Sequence, residues 1–395
     1  MPKKSIVPVV YQIFPHYRSG VNHELIGSSK FDYVFVADPT DTTNGGIEMW
    51  TPPAEARFVA TRSLVIRKNI LFQDKVLLVP FWRNVKQIIY LGDAYYVTTW
   101  ISAALAKLMG KRVLFWSHGW IAPDKGIKRL IRLAFYKLAD GLLLFGHHAK
   151  HIGIREGFRP ENLHVIYNSL DYPRQLLIRQ AIDLNSIPAL RASLFSNPSL
   201  PVLICAGRLI PMRRLDLLIE ALKILKQGGN EMNLLIVGDG PLRDSIESRT
   251  ACEKLSVKFY GACYDEKTLA MLFTLSDMSV MAGRVGLAAI HSLTYGTPVL
   301  IHDDPNDQGP EWEAVIHGYN GVHFEHDNSV DLARSLVEWF SSARDRELIR
   351  KRCHTVIDKF YNPRHQAACI ERALAGLPAD DSKWEAFIQQ CRKSV

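Results

Sequence analysis

Two guanidinium groups and one helix start carry the chemistry this sequence offers. Arg208 and Arg213 lie on the loop Gly207 to Arg214, directly after the strand-like run Val202 to Ala206. Further on, Met281-Ala282-Gly283-Arg284-Val285-Gly286-Leu287 opens a helix over Ala288 to Tyr295, which Gly296 stops. A glycine loop feeding a helix start gathers free backbone N–H groups and the positive end of the helix dipole at one point, which is an anion site. Many α/β crossovers share that loop, so the arginines decide its value. Two guanidinium groups beside a helix mouth suit a diphosphate. They also suit a diphosphate leaving group, whose charge grows in the transition state. For Arg208 taken singly, a surface salt bridge is the bland alternative.

Further candidates lie on the loops that would share the carboxyl ends of the same strands. Gly238-Asp239-Gly240-Pro241 turns after the strand Asn233 to Val237. His118, in Ser117-His118-Gly119-Trp120, sits just past the strand Val113 to Trp116, as a ligand contact or as the cap of a turn. Glu311 and Glu313 are the nearest carboxylates after the next strand, unless they only complement a helix dipole. No Asp-x-Asp motif occurs, and Asp303-Asp304 alone is a poor metal signature. No metal is expected: the arginines and the dipole would replace a divalent cation. No cofactor is expected either.

The elements that position these residues read as two doubly wound halves. At 395 residues the chain exceeds one ordinary core, and two domains of roughly 180 residues each are the prior. Apolar residues at 47% and charged residues at 22% describe a soluble globular protein. No apolar run is long enough for a transmembrane helix. The start, Met1 to Pro8, reads as a first strand rather than a signal peptide. Cys205, Cys252, Cys263, Cys353, Cys369 and Cys391 lack paired spacing, which fits a reducing cytoplasm. The net charge of +8 favours anionic partners. Nucleic acid is not expected, since the charge is spread out and no recognition motif occurs.

In the first half, strands are expected at Val7 to Phe14, Tyr33 to Ala37, Val76 to Pro80, Ile88 to Leu91, Val113 to Trp116 and Asp140 to Phe145. Residues 38–60 read as loop. Only Gly20 follows the first strand, so the dinucleotide fingerprint is missing and an oxidoreductase is disfavoured. Apolar positions 127, 130, 131, 134, 135 and 138 share a helix face, with Lys125, Lys128, Arg129 and Arg132 opposite. That helix fits an anionic membrane surface or a core helix with a solvated basic face equally well. Residues 172–201 look irregular and interdomain. Helices are expected over 215–227, 328–343, 345–360, 363–375 and 382–393.

These motifs together resemble the retaining, nucleotide-sugar-dependent glycosyltransferases of family 4 (glycosyl transferases group 1), most strongly over 201–325. Gly207-Arg208-Leu209 with Arg213 is similar to that family's donor-diphosphate loop, and Asp216 to Ala221 to its following helix. Val237 to Leu242 resembles its Val-Gly-x-Gly-Pro turn, and Gly286-Leu287 with Gly296-Thr297-Pro298-Val299 the frame of its donor helix. His118-Gly119 and Asn168-Ser169-Leu170-Asp171 resemble its acceptor-side motifs. Before residue 110 the resemblance is architectural only.

The resemblance implies an α/β GT-B fold, two Rossmann-like domains facing each other across a cleft. It places an acceptor-side domain at 1–180 and a nucleotide-sugar domain at 198–376, with the helix at 382–395 packing back on the first. It implies transfer from a nucleoside-diphosphate sugar to a saccharide or lipid-linked acceptor with retention, in surface polysaccharide or glycan biosynthesis, at the cytoplasmic face of a membrane. Arg208, Arg213 and His118 would be catalytic. Gly207, Gly238, Gly240, Gly283, Val285, Gly286, Leu287, His291 and Glu311 would line the donor, and Gly20 and Asn168 the acceptor. One departure stands out: the family's two glutamates, separated by seven residues, fall on Gly283 and His291. A catalytically inactive nucleotide-binding scaffold is therefore the alternative.

Overall fold

The computed structural model describes residues 4–40, 48–67 and 70–394. Two compact units emerge, one of 1–171 with 362–383, the other of 172–361 with 384–395. Part of the expected loop at 38–60, residues 41–47, lies outside the described residues.

The first unit is built on a parallel seven-stranded sheet ordered β3-β2-β1-β6-β7-β8-β9. Its strands are β1 (Ser5–Val10), β2 (Phe31–Ala37), β3 (Arg57–Ala60), β6 (Gln87–Leu91), β7 (Arg112–Ser117), β8 (Gly141–Leu144) and β9 (Leu163–Val165), while β4 (Ser63–Arg67) and β5 (Ile70–Gln73) form a separate hairpin. Helices α1 (Ser19–Ile26), α2 (Val97–Leu108), α3 (Gly126–Tyr136) and α4 (His147–Arg155) connect them. The continuous apolar runs of β1, β7 and β8 are buried on both faces, as parallel strands under helices must be.

Two expectations fail here for visible reasons. Val76 to Pro80 is not a strand but part of a 3-10 helix, Asp74–Phe81. Pro80 removes a ladder donor, and the Val76 carbonyl accepts from Ser102 Oγ of α2 at 2.9 Å instead of from a neighbouring strand. Residues 57–60, expected as loop, add edge strand β3 beside β2.

The second unit holds α5 (Tyr172–Ala181), α6 (Ile187–Leu194) and a parallel six-stranded sheet ordered β12-β11-β10-β13-β14-β15. The strands are β10 (Val202–Ala206), β11 (Asn233–Val237), β12 (Val257–Gly261), β13 (Met278–Met281), β14 (Val299–His302) and β15 (Gly321–Phe324). Between and after them come α7 (Leu215–Gln227), α8 (Arg243–Cys252), α9 (Glu266–Leu275), α10 (Leu287–Thr294), α11 (Ser329–Ser341) and α12 (Arg346–Lys359). Helices α5 and α6 replace the irregular segment expected over 172–201. Their prolines fall in the first turn, where a missing N–H costs nothing.

The chain ends depart from the expected boundaries. Helix α13 (Pro363–Leu374) belongs to the first unit, where Ala367, Ile370, Ala373 and Leu374 enter the core with Val7, Val9 and Phe35. Helix α14 (Ser382–Lys393) was expected on the first domain. From Trp384 onward it belongs to the second unit, because its apolar face, Trp384 and Phe387, is buried on Phe360, Tyr361 and Tyr319. Among the described residues, no helix is long and apolar enough to cross a membrane.

Candidate functional site

In the second sheet the chain leaves β10 for β11 and β12 on one side, then crosses to β13 on the other flank of β10. The loops after β10 and β13 therefore diverge at the carboxyl ends of two adjacent strands, the switch point at which open α/β sheets leave a crevice. The loop after β10 carries Arg208 and Arg213; the loop after β13 carries Gly283, Val285 and Gly286.

Glycines let these loops close on one another. Gly238 has φ 149°, and a Cβ there would collide with the Gly207 carbonyl oxygen. Gly240 has φ 159°, and its Cβ would lie 2.5 Å from the Leu209 oxygen. Leu209 N donates to the Asp239 carbonyl at 2.9 Å, and Leu242 N to that of Leu209 at 3.2 Å. The 238–242 turn thus braces the arginine loop. A Cβ on Gly283 would collide with the Met212 oxygen, and Gly283 N donates to the Arg213 carbonyl at 3.1 Å.

Arg213 is placed where an anion site needs it. Its Nη1 donates to the Arg284 carbonyl at 2.8 Å. Both Nη atoms lie 3.9 Å from where a Cβ on Gly286 would be, and Nε lies 3.8 Å from the same point on Gly207. Gly286 is the N-cap of α10 and brings no side-chain cap of its own, and Leu287 is the first helical residue. The Arg213 Nε is itself buried without a hydrogen-bond partner. Arg208 stands exposed on the same loop. Arg214, by contrast, is taken by Asp216 and Asp327.

The β14 side holds the loop from behind. Gln308, almost fully buried, accepts from Val285 N at 2.7 Å and donates to the His302 carbonyl at 3.0 Å. Arg284 pairs with Asp307 at 2.5 Å. Glu311 is buried in a short 3-10 helix, Pro310–Ala314, with its Oε2 3.1 Å from the Cβ position of Gly309.

His291 meets a carboxylate that the sequence did not single out. Its Nε2 lies 2.8 Å from Glu266 Oε1, the atom that also accepts from Tyr295 Oη and, at 3.1 Å, from Gln175 Nε2. Burial pushes the Glu266 carboxyl up, but the hydrogen bonds from His291, Tyr295 and Gln175 outweigh it and hold the group at about 2. An ionised carboxylate fixes the Nε2–H tautomer and leaves Nδ1 as the acceptor of the ring. Glu266 reads locally as the first turn of α9 behind the Asp265 cap, so nothing short of the fold joins it to His291.

The first-unit candidates separate by exposure. His118 follows β7, its ring 4.8 Å from that of Phe145. Surrounding packing first, then the Arg18 guanidinium, lower its imidazole to about 4. More than a third of the residue still meets solvent. Arg18, missed in the sequence, is buried against the faces of Tyr11, Trp116 and Phe145 and donates to Tyr11 Oη at 2.8 Å. Asn168 is buried and caps Ser169 N at 3.1 Å. Gly20 lies inside α1, where a Cβ would sit 2.7 Å from Pro363 and 2.9 Å from the Leu170 oxygen. Close packing accounts for it.

Residues 186–354, which lie within the second unit, match the family model described as Glycosyl transferases group 1. A GDP-mannose-dependent alpha-(1-6)-phosphatidylinositol dimannoside mannosyltransferase of Mycobacterium tuberculosis is 33% identical over 110 residues, 27% of this chain and 28% of that protein. A D-inositol 3-phosphate glycosyltransferase of Jonesia denitrificans is 30% identical over 177 residues, 41% of this chain and 39% of the relative. The chain thus spans well under half the length of these curated relatives. Among solved structures, Anabaena Alr3699/HepE in complex with UDP superposes with TM-score 0.69 at 16% identity, covering 95% of this chain and all of that one. The lipopolysaccharide outer core galactosyltransferase WaaB gives 0.68 at 16% identity over 94% and 98%. Both likenesses establish the fold, GT-B with two Rossmann-like domains.

Proposed function

We propose that this chain is a glycosyltransferase that moves a sugar, with retention, from a nucleoside-diphosphate sugar to a saccharide or lipid-linked acceptor in glycan biosynthesis. The observation that carries the reading is the Arg213 guanidinium, set over the N-cap Gly286 and tied to the Arg284 carbonyl. A diphosphate there meets a forked cation and the free N–H groups of α10 together. Arg208, exposed on the same loop, supplies the second charge. These groups stabilise the departing diphosphate as its charge grows, which makes them catalytic rather than merely adhesive.

Retention along a same-face path needs no protein nucleophile. The acceptor hydroxyl attacks as the sugar–phosphate bond breaks, and its proton passes to a departing phosphate oxygen. That path tolerates Gly283. His291, with Nδ1 left as the acceptor by its Glu266 partner, takes the ribose-hydroxyl role that the resemblance gives to a glutamate. The two relatives named above, whose names refer to phosphatidylinositol dimannoside and D-inositol 3-phosphate, support a lipid or polyol acceptor class. On α3, Ile127, Leu130 and Ile131 are exposed beside Lys125, which supports a peripheral place on an anionic membrane face.

A second reading has its own observation: with no carboxylate at Gly283, the chain is a nucleotide-binding scaffold without turnover. Radiolabelled transfer and hydrolysis assays over a panel of nucleotide sugars, with calorimetry for the nucleoside diphosphates, decide between them. Turnover of one donor upholds the enzyme. Diphosphate binding without any turnover upholds the scaffold, and absence of both removes the site.

A further inference from the structure

Between β14 and α11 the chain gathers three side chains that the donor reading leaves unused. His302, the last residue of β14, is fully buried, and neither Nδ1 nor Nε2 has a hydrogen-bond partner. A buried imidazole without a partner for its lone pair is an exception that asks for an occupant. Its ring faces that of His326 with centroids 4.5 Å apart. His326 Nε2 in turn lies 3.5 Å from Asp307 Oδ2. One ligand atom from each of the three residues falls within 4.8 Å of the others.

Two imidazoles and one carboxylate are the donor set of a borderline divalent ion, zinc above all, with a fourth position left for water. Calcium and magnesium prefer all-oxygen shells, so the two nitrogens speak against them. We propose that His302, Asp307 and His326 form a zinc-class metal site, distinct from the groups assigned to the diphosphate.

Its place in the fold indicates what the ion does. Asp307 Oδ1 is held by Arg284 at 2.5 Å, which leaves Oδ2 for the metal. The next residue, Gln308, joins the Val285 amide to the His302 carbonyl. An ion bound to His302 and Asp307 therefore fastens both ends of the 303–308 loop, the loop that holds residues 284 and 285 ahead of α10. The metal braces that loop and takes no part in bond breaking. Nothing in this depends on sugar transfer, so the site and the proposed activity stand or fall separately.

The test is direct binding. Full-length protein is stripped with chelator, desalted and titrated with Zn²⁺ against a chromophoric competitor, and with Co²⁺ followed by its visible bands. One Zn²⁺ per chain is expected, with cobalt bands marking nitrogen and oxygen ligands at low coordination number. His302→Ala risks misfolding because the residue is buried. His326, a third exposed, and Asp307 can be changed more safely. His326→Ala and Asp307→Asn should each weaken zinc binding by about tenfold or more. Zinc should also slow hydrogen exchange at the Val285 amide in the wild type but not in His326→Ala. No stoichiometric zinc in the wild type, or variants that bind as the wild type does, overturns the site; unchanged exchange overturns the bracing role.

Discussion

Arg213 Nη1 donates to the main-chain carbonyl of Arg284 at 2.8 Å, two residues before the N-cap of α10. One side chain thereby links the loop after β10 to the loop after β13 and fixes a guanidinium at a helix mouth. Replacing Arg213 with alanine should lower transfer by about 100- to 1000-fold, the cost of one transition-state donor. Lysine should restore little, because it keeps the charge but not the fork. Arg208→Ala should lose activity similarly while melting within about 0.5 kcal/mol of the wild type, as exposed substitutions do. Near-normal kcat/KM in either alanine variant removes the diphosphate assignment.

Gly283 stands where the resembled family has its first glutamate, and the structure shows why it cannot be exchanged for one. The turn at Met212 and Arg213 closes directly on its Cα, with Arg284 N bonded to the Met212 carbonyl at 3.1 Å. Gly283→Glu should therefore destabilise by roughly 2 kcal/mol or more and not raise activity. Gly283→Ala should show the same fall in melting temperature. A stable, more active Gly283→Glu protein contradicts this account.

With cationic groups already at the diphosphate, the chemical step should need neither Mg²⁺ nor Mn²⁺. After chelator treatment and desalting, turnover with zinc alone resupplied should match that with zinc and Mg²⁺ together. Activity that chelator abolishes and Mg²⁺ or Mn²⁺ alone restores would place a metal on the diphosphate after all.

Buried histidines predict how the first unit responds to acid. Burial, more than any charge, lowers His147 and His164 from 6.5 to about 4 in the folded state. Unfolding returns them to the higher value, so between those limits the unfolded chain binds more protons. Their stabilisation is complete above pH 6.5 and is lost as pH falls through 4. At about 1.4 kcal/mol per unit, each contributes at most roughly 3.5 kcal/mol. Melting of the first unit should fall from pH 7 to 4.5, less steeply in His164→Gln, and a pH-independent transition would refute this. His118 is also lowered to about 4. It should be neutral at working pH and give the kcat/KM profile no limb between pH 5.5 and 7.5.

Much of the second unit was legible because its strands are short β-branched and leucine runs bounded by glycine. Val202 to Ala206 and Asn233 to Val237 have the bounds read from the sequence. The turns after β10, β11 and β13 were legible for the same reason, since glycine spacing marks turns. What failed was non-local. Helices α5 and α6 looked like linker because their cues are prolines, and helix-start prolines and loop prolines read alike. The pairing of Glu266 with His291 and the stacking of Arg18 on three aromatic rings depend on residues far apart in the chain. No periodicity encodes such contacts. His302 and His326 carry no local signal either; β14 and the turn before α11 set them ring to ring.

Gln308 carries the last prediction, because it holds the loop after β13 through the Val285 amide. Its amide oxygen accepts from Val285 N and its amide nitrogen donates to the His302 carbonyl, both in a nearly dry site. Alanine would strand one buried donor and one buried acceptor, each costing about 1–3 kcal/mol unless the loop moves to find water. Movement is the cheaper course, and it would shift the amide at 285 and the carbonyl at 284 that steadies Arg213. Gln308→Ala should therefore raise the KM for the nucleotide sugar and lower kcat, with faster hydrogen exchange confined to residues 284 to 287 and 303 to 308. Glutamate keeps the acceptor but not the donor and should recover part of the loss. Wild-type kinetics in Gln308→Ala would show that the loop holds its shape unaided and that the brace is dispensable.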